Sequence, residues 1–361
     1  MKKNQFVIPG WPLLVSALIF LGISCDKDEP LAKGQFENGV YIVNEGTFQQ
    51  NNGSVSFYYY NGDSVSNDIF YRVNQRILGD VVQSLWADGE KAYIVVNNSN
   101  KLEVVNRFTF EEQGVLEALP SPRYFISTHA KGYLTCWGDN SVKVVDLNSL
   151  DIVKAIEVGN GPERMLVSNQ KLFVANSGAF GSDSVVSVIN PVTDSVEHCI
   201  VVPYNPKSMV ADKEGNIWVL CAGKAVYDWN PPYDLLEESA SLIYQVDPVS
   251  YEIISTVQLF EHAHPSNLQI DKNGTTLYFD GGINGGIYSY ETAESGTSIT
   301  KIIDEYAYGF AYDPQSDVLF VFDAGNYVSA GTMMRYSTSG NKLGEYAVGM
   351  VPNGASFKRT R

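Results

Sequence analysis

Seven segments of the chain begin with a chemically versatile side chain at an equivalent position, just before an apolar run. These side chains are Gln83, Arg123, Glu163, Lys207, Ser266, Tyr308 and Asn353. The next position holds Ser84, Tyr124, Arg164, Ser208, Asn267, Gly309 and Gly354. If the two sets converge, their amides, hydroxyls and cations could hold an amide, a phosphate or a carboxylate by directed hydrogen bonds. Ordinary hydration of a polar channel is the alternative role for any single residue.

A second candidate is the stretch from Lys224 to Ala240, which reads KAVYDWNPPYDLLEESA. Tyr227, Trp229 and Tyr233 stand close together around two prolines. Aromatic side chains held by prolines form a contact surface of low conformational entropy for a large ligand or a protein. The alternative is that they only cover the rim of the fold.

Two further patterns could hold a metal. Seven strand ends carry Asn44, Val96, Cys136, Asn176, Cys221, Asp280 and Asp323, whose oxygens could bind Ca²⁺, although the apolar and thiol members favour structural roles. His262 and His264 point the same way on an extended chain, but no third ligand is evident. No Ser-His-Asp elbow, phosphate-binding loop or zinc motif is present in the sequence. We therefore predict no metal, no cofactor and no catalytic residue.

The elements that position these residues are short strands. From Tyr133 to Gly178 four apolar runs, rich in β-branched and aromatic residues, are separated by Gly, Asn, Asp and Pro, and the pattern then starts again after about 40 residues. Seven such repeats predict an all-β fold, a seven-bladed β-propeller with strands A (inner) to D (outer) in each blade. Two stacked β-sandwiches are the alternative.

The first repeat lacks an inner strand. The segment from Val351 to Phe357 has the required pattern, so we predict that this C-terminal strand pairs in the first blade and closes the ring. The A–B and C–D turns are short, which defines a tight-turn face. The B–C and D–A connections are longer and define a long-loop face, where we expect the function.

The N-terminus is typical of an exported protein. Residues 1–24 read as a signal peptide, with Lys2 and Lys3 before an apolar stretch. Cys25 follows in a pattern that resembles the lipobox of bacterial lipoproteins, so we predict lipidation of Cys25, a flexible acidic tether over residues 25–37 and the propeller over 38–361. The net charge of −16 argues against nucleic acid as a partner and against membrane contact other than through the lipid.

The repeats resemble a known family. Segments such as Lys143–Asp146, with Ile156–Gly159 and the Gly161-Pro162 pair, are similar to the YVTN/YncE-type propeller repeat. The lipobox-like start and the opening VNEGTFQQNNGS resemble Bacteroidetes surface lipoproteins, among them the BtuG-type vitamin B12-binding proteins. That resemblance implies an outer-membrane protein, lipid-anchored and exposed at the cell surface, that captures a corrinoid and delivers it to a TonB-dependent outer-membrane transporter.

On this reading the protein is not an enzyme, and the corrinoid is a transported ligand rather than a cofactor. The residues that we predict to bind it are Arg123, Tyr124, Arg164, Lys207, Asn267, Tyr308, Asn353, Tyr227, Trp229 and Tyr233. A metal-dependent propeller hydrolase, lactonase or lyase is the alternative of a different class. A glycan-binding or protein-scaffold propeller is the third.

Overall fold

Four-stranded antiparallel sheets recur seven times and form the blades of a closed ring, as the sequence predicts. A computed structural model describes residues 1–2, 33–292 and 298–357. The predicted signal peptide and Cys25 lie outside the described residues. Among the described residues, no helix is long and apolar enough to cross a membrane.

The strands of the first four blades follow the chain in order. They are β1 (Gly39–Asn44), β2 (Ser54–Tyr59) and β3 (Ser64–Ser66) in blade 1; β4 (Val82–Asp88), β5 (Lys91–Val96), β6 (Lys101–Asn106) and β7 (Glu112–Leu116) in blade 2; β8 (Pro122–Thr128), β9 (Lys131–Cys136), β10 (Ser141–Asp146) and β11 (Ile152–Glu157) in blade 3; β12 (Pro162–Ser168), β13 (Lys171–Asn176), β14 (Val185–Asn190) and β15 (Ser195–Val201) in blade 4.

The last three blades follow the same order, with an extra hairpin in blade 5. Their strands are β16 (Pro206–Ala211), β17 (Ile217–Cys221), β18 (Lys224–Tyr227), β19 (Leu235–Ser239), β20 (Ser241–Val246) and β21 (Ile253–Phe260) in blade 5; β22 (Leu268–Ile270), β23 (Thr276–Asp280), β24 (Ile287–Glu291) and β25 (Thr300–Ile303) in blade 6; β26 (Gly309–Asp313), β27 (Val318–Asp323), β28 (Ala330–Ser337) and β29 (Lys342–Met350) in blade 7; and β30 (Pro352–Ser356), which returns to blade 1.

Burial explains why the sequence forms these strands. The second strand of each blade packs on neighbouring blades with both faces, so β1, β17 and other B strands are apolar along nearly their whole length and are buried. The outer strands face solvent on one side; in β11 only Ile156 is buried. Burial thus decreases from the inner strands to the outer strand of each blade, and its recurrence in every blade produces the repeating pattern of the sequence.

The ring closes through the C-terminal strand, which confirms the prediction. β30 is antiparallel to β1, and Tyr41, Ile42 and Val43 pair with Ser356, Ala355 and Gly354 respectively. The inner edge of blade 1 is therefore supplied by the opposite end of the chain. This pairing leaves no blade without its inner strand.

The body of the propeller begins earlier than the predicted boundary at residue 38. Phe36, which we placed in the flexible tether, is only 4% exposed. Its ring lies 5.2 Å from that of Phe57 and 5.7 Å from that of Phe110, centroid to centroid. A single aromatic residue among polar neighbours carries no periodic signal, so its burial was not predicted.

Three connections on the long-loop face have structure of their own. Helix α1 (Ile69–Asn74) covers blades 1 and 2 with its buried residues Ile69 and Phe70. The stretch predicted as the longest loop is instead the β18–β19 hairpin. A single 3₁₀ turn (Gly282–Asn284) follows β23.

Candidate functional site

Five side chains of the first predicted set are linked by hydrogen bonds at the long-loop end of the central channel; these are Gln83, Arg123, Glu163, Tyr308 and Asn353. Arg123 donates from Nε and Nη2 to the two carboxylate oxygens of Glu163, at 3.0 and 2.7 Å. Its Nη1 donates to Oε1 of Gln83. The guanidinium also lies 3.9 Å from the ring centroid of Trp137. Arg123, one of the three cations that we expected to meet a ligand, is thus already neutralised within the protein.

Glu45, a carboxylate outside the aligned positions of the repeats, also belongs to this group of side chains. Glu45 accepts a hydrogen bond from Tyr308 Oη at 2.9 Å and another from Asn353 Nδ2 at 2.8 Å. Asn353 also donates to the backbone carbonyl of Gln83, at 3.2 Å. Burial raises the pKa of Glu45, although both hydrogen bonds oppose that shift. We call Glu45, Gln83, Arg123, Glu163, Tyr308 and Asn353 the channel network.

Lys207 lies beside this network. Burial lowers the pKa of its ammonium group, and the carboxylate of Glu163 partly offsets the effect. Lys207 makes no hydrogen bond or ion pair of ordinary length with the part of the chain that the structure describes. It is therefore the cation at this end of the channel that an anionic ligand could still pair with.

The second predicted set divides between two roles. Arg164 and Tyr124 line the channel below the network, with the guanidinium 4.7 Å from the centroid of the Tyr124 ring. Asn267 is buried and donates from Nδ2 to the carbonyl of Phe310 at 2.6 Å, so it joins blades 6 and 7. Arg164 and Tyr124 thus present polar groups to the channel, whereas Asn267 does not.

The channel contains a cavity of about 680 Å³. It begins at Gln83 and Asn353, on the inner side of the channel network, and extends to Lys272 and Pro314 in the A–B turns of blades 6 and 7. Both of these turn residues are exposed. The cavity therefore meets solvent on the tight-turn face, whereas the network lies between it and the long-loop face.

The predicted aromatic residues stand at the tip of the β18–β19 hairpin. Trp229 is 93% exposed, Tyr233 60% and Tyr227 54%. The tip is held by hydrogen bonds between backbone groups of Asp228 and Asp234 and of Asn230 and Tyr233. These rings are largely exposed to solvent, so the alternative that they only cover the rim of the fold does not explain them.

The base of this hairpin is fixed to the body by charged groups. Glu238 Oε2 lies 2.6 Å from Nδ1 of His262, and its Oε1 lies 3.3 Å from Nε2 of His264. His264 Nδ1 is 2.6 Å from the carbonyl oxygen of Ala222. The hydrogen bond to Glu238 raises the pKa of His262. The two histidines thus have a defined structural task, which is to hold a carboxylate of the hairpin.

All exposed aromatic residues of the described chain lie in B–C or D–A connections. These residues are Phe48, Tyr71, Phe180, Tyr204, Tyr227, Trp229, Tyr233, Tyr306 and Tyr327. Their rings come from blades 1, 4, 5, 6 and 7, so they surround the face instead of marking one blade. Exposed aromatic groups concentrated on one face are characteristic of binding surfaces.

The strand-end set that could have bound calcium has structural partners. Asp280 is buried, and Oδ2 accepts hydrogen bonds from the backbone amides of Ser266 and Asn267 at 2.9 and 2.8 Å. Asn176 donates from Nδ2 to the carbonyl of Val185. No group of three or more potential metal ligands with suitable geometry occurs among the described residues. These contacts agree with the structural roles that we preferred.

Two residues of the site, Glu45 and Trp137, were not predicted from the sequence. Glu45 follows β1 in a loop, outside every aligned position, and only ring closure brings it to Asn353. Trp137 stacks on Arg123, and its ring lies 5.6 Å from that of Phe180, which is 98% exposed. The aromatic content of the B–C loops was the available signal for the second residue.

Solved structures share this fold at low sequence identity. A quinonprotein alcohol dehydrogenase-like protein from Bacteroides thetaiotaomicron is 15% identical, with a TM-score of 0.65, over 89% of this chain and 78% of that one. A putative 6-phosphogluconolactonase from Bacteroides fragilis is 12% identical, with a TM-score of 0.62, over 90% and 99% of the two chains. A periplasmic gluconolactonase from Pseudomonas aeruginosa is 12% identical, with a TM-score of 0.62, over 88% and 98%.

At such identities the likeness shows the propeller fold alone. No curated protein sequence matches the chain. A family model does match, over residues 38–349, which is nearly the whole propeller. The chain therefore belongs to the family described as a domain of unknown function, DUF5074.

Proposed function

We propose that this protein is a lipid-anchored, non-catalytic capture protein that binds a corrinoid on its long-loop face. It then passes the corrinoid to a TonB-dependent outer-membrane transporter. The observation that carries the proposal is the concentration of every exposed aromatic ring of the described chain on that face. A corrinoid is large and flat, and it bears amides around its edge. Exposed rings on a rigid scaffold suit its faces, and polar groups at the channel end suit its amides.

Trp229 is the contact that we expect to contribute most. It is the most exposed ring of the hairpin, and the hairpin base is tied to the body through Glu238. Burying one aromatic ring against a ligand contributes roughly 1–3 kcal/mol. Titration calorimetry with cyanocobalamin should show that Trp229→Ala weakens binding by about 5- to 150-fold.

Val249→Ala provides a matched control. Val249 is 70% exposed in the C–D turn of the same blade, on the tight-turn face, so its removal should leave cyanocobalamin binding unchanged. If Trp229→Ala binds cyanocobalamin as well as the parent does, and Val249→Ala binds it more weakly, the site lies on the tight-turn face and the proposed location is wrong. No heat of binding with any corrinoid would overturn the proposed ligand.

Lys207 is the residue proposed to recognise the phosphate of the corrinoid nucleotide loop. Its lowered pKa follows from burial, and a bound phosphate would provide the counter-charge. Lys207→Gln should weaken the binding of cyanocobalamin more than the binding of dicyanocobinamide, which lacks that phosphate. The difference between the two losses should become smaller at high salt. An equal effect on both corrinoids would exclude this role.

The anchor and the transporter need separate tests. Cys25→Ser should move the protein from the membrane fraction to the soluble fraction, since one acceptor for lipid is lost. Affinity purification of the parent from detergent-solubilised outer membranes should recover a TonB-dependent transporter. Membrane retention of the Cys25→Ser variant would contradict the proposed anchor.

One observation favours the alternative of a propeller hydrolase. Glu45, Glu163, Arg123 and Lys207 lie together at one end of the channel, and the pKa values of Glu45 and Lys207 are displaced toward their neutral forms. Displaced pKa values in a cleft often mark catalytic groups. If the protein hydrolyses a lactone, loses that activity when Glu45 is replaced, and shows no measurable corrinoid binding, a hydrolase is favoured over a capture protein.

A further inference from the structure

Trp229 and Lys207, the two corrinoid contacts proposed above, do not line the cavity in the central channel. Its volume of about 680 Å³ falls in the range of pockets that hold small organic molecules, about 300–1,000 Å³. The channel network lies at its long-loop end, and the exposed residues Lys272 and Pro314 lie at its other end. A ligand would therefore enter from the tight-turn face.

One cation on the wall of this cavity has no counter-ion. Arg164 stacks on Tyr124 and makes no hydrogen bond or ion pair with residues 33–292 or 298–357. Arg123, which lies one alignment position earlier in the preceding blade, is by contrast fully engaged by Glu163. A stacked guanidinium keeps its in-plane donors free, and these match the geometry of a carboxylate or sulfonate.

The rest of the cavity wall combines apolar side chains with polar ones, among them Gln269, Asp271 and Ser356. Met165, Met209, Ile270, Phe310 and Phe357 contribute apolar surface. At Gly354, a Cβ atom would meet nothing within 4 Å, and the backbone there is not in the left-handed region. The channel is thus wide enough at this level to admit a group larger than a methyl.

We propose that the channel binds a small organic anion with an apolar body. The anionic group lies against Arg164, and the apolar body lies along the wall toward the tight-turn face. This ligand differs from a corrinoid in size, face and recognition. Binding of this anion in the channel is therefore independent of corrinoid capture on the long-loop face.

The test uses two fluorescent probes that differ in charge. The anionic probe is 1-anilinonaphthalene-8-sulfonate, and the neutral probe is N-phenyl-1-naphthylamine, which has the same aromatic body without the sulfonate. The parent should bind one anionic probe per chain. Arg164→Met should weaken binding of the anionic probe by about tenfold, since the variant lacks a charge-assisted contact. It should change the affinity for the neutral probe by less than about twofold.

Gly354→Leu fills the channel and should weaken both probes by at least about tenfold. If this variant fails to fold, as judged by circular dichroism, Gly354→Val supplies a smaller plug with a smaller loss. Trp229→Ala is the control for probe bound to the exposed aromatic rings and should change nothing. Absence of probe binding to the parent, or full binding to the folded Gly354 variants, would overturn the proposal. Loss of binding in Trp229→Ala alone would do the same.

Discussion

The Arg123–Glu163 pair allows a quantitative test of the channel network. Its side chains are only 14% and 11% exposed, and two hydrogen bonds join the guanidinium to the carboxylate. Arg123→Met removes the cation, keeps much of the volume and leaves Glu163 as a buried carboxylate. The same change removes the stacking on Trp137.

The expected loss follows from these contacts. Removing one partner of a buried pair costs about 3–5 kcal/mol, because the other charge remains without compensation. Lys207 lies close enough to Glu163 to offset part of this loss, which favours the lower end of that range. Stacking on the indole adds about 0.5–1 kcal/mol. We expect Arg123→Met to lower the free energy of unfolding by about 3–4 kcal/mol.

Urea denaturation of a set of variants separates charge burial from packing. The double variant Arg123→Met/Glu163→Met removes both charges and should recover at least half of the loss. Lys213→Ala is the control, because its pair with Glu214 is exposed on the tight-turn face and should contribute less than about 1 kcal/mol. A loss below about 1 kcal/mol for Arg123→Met, or a double variant as unstable as the single one, would refute the reasoning.

Three further outcomes follow from the contacts described. Deleting residues 351–361 should abolish cooperative unfolding, because β1 loses its inner partner; an unchanged transition would contradict ring closure. The pKa of Glu45 is raised in the folded state, so the parent loses stability as the pH rises from about 4.5 through the folded pKa. Glu45→Gln should therefore gain stability relative to the parent as the pH rises above about 4.5, and parallel pH curves in denaturant titrations would exclude this effect. His262→Ala should accelerate amide exchange in the β18–β19 hairpin at pH 6, where unchanged exchange would show that Glu238 does not need this partner.

The strand pattern was readable from the sequence because it depends on local chemistry. A short run such as Ile217–Cys221 is apolar throughout, since both of its faces pack on other blades, and the turns around it are short and polar. The closure of the ring could also be predicted, because the first repeat lacked one strand and Val351–Phe357 matched it. The choice of a long-loop face rested on connection length, which is a local property as well. Its use as a binding face stays a prediction.

The partners of the site residues were decided only by the tertiary structure. Glu45 and Asn353 are 308 residues apart, and no spacing in the sequence connects a loop after β1 with the start of β30. Arg123 and Arg164 occupy adjacent alignment positions, yet one is paired in the channel network and the other faces the cavity. Neighbouring residues of a strand point in opposite directions, and the curvature of the ring determines what each one meets. The sequence by itself therefore determined the fold and the rings of candidate residues, whereas the meeting of seven blades around one channel decided which charges are neutralised and which stay available.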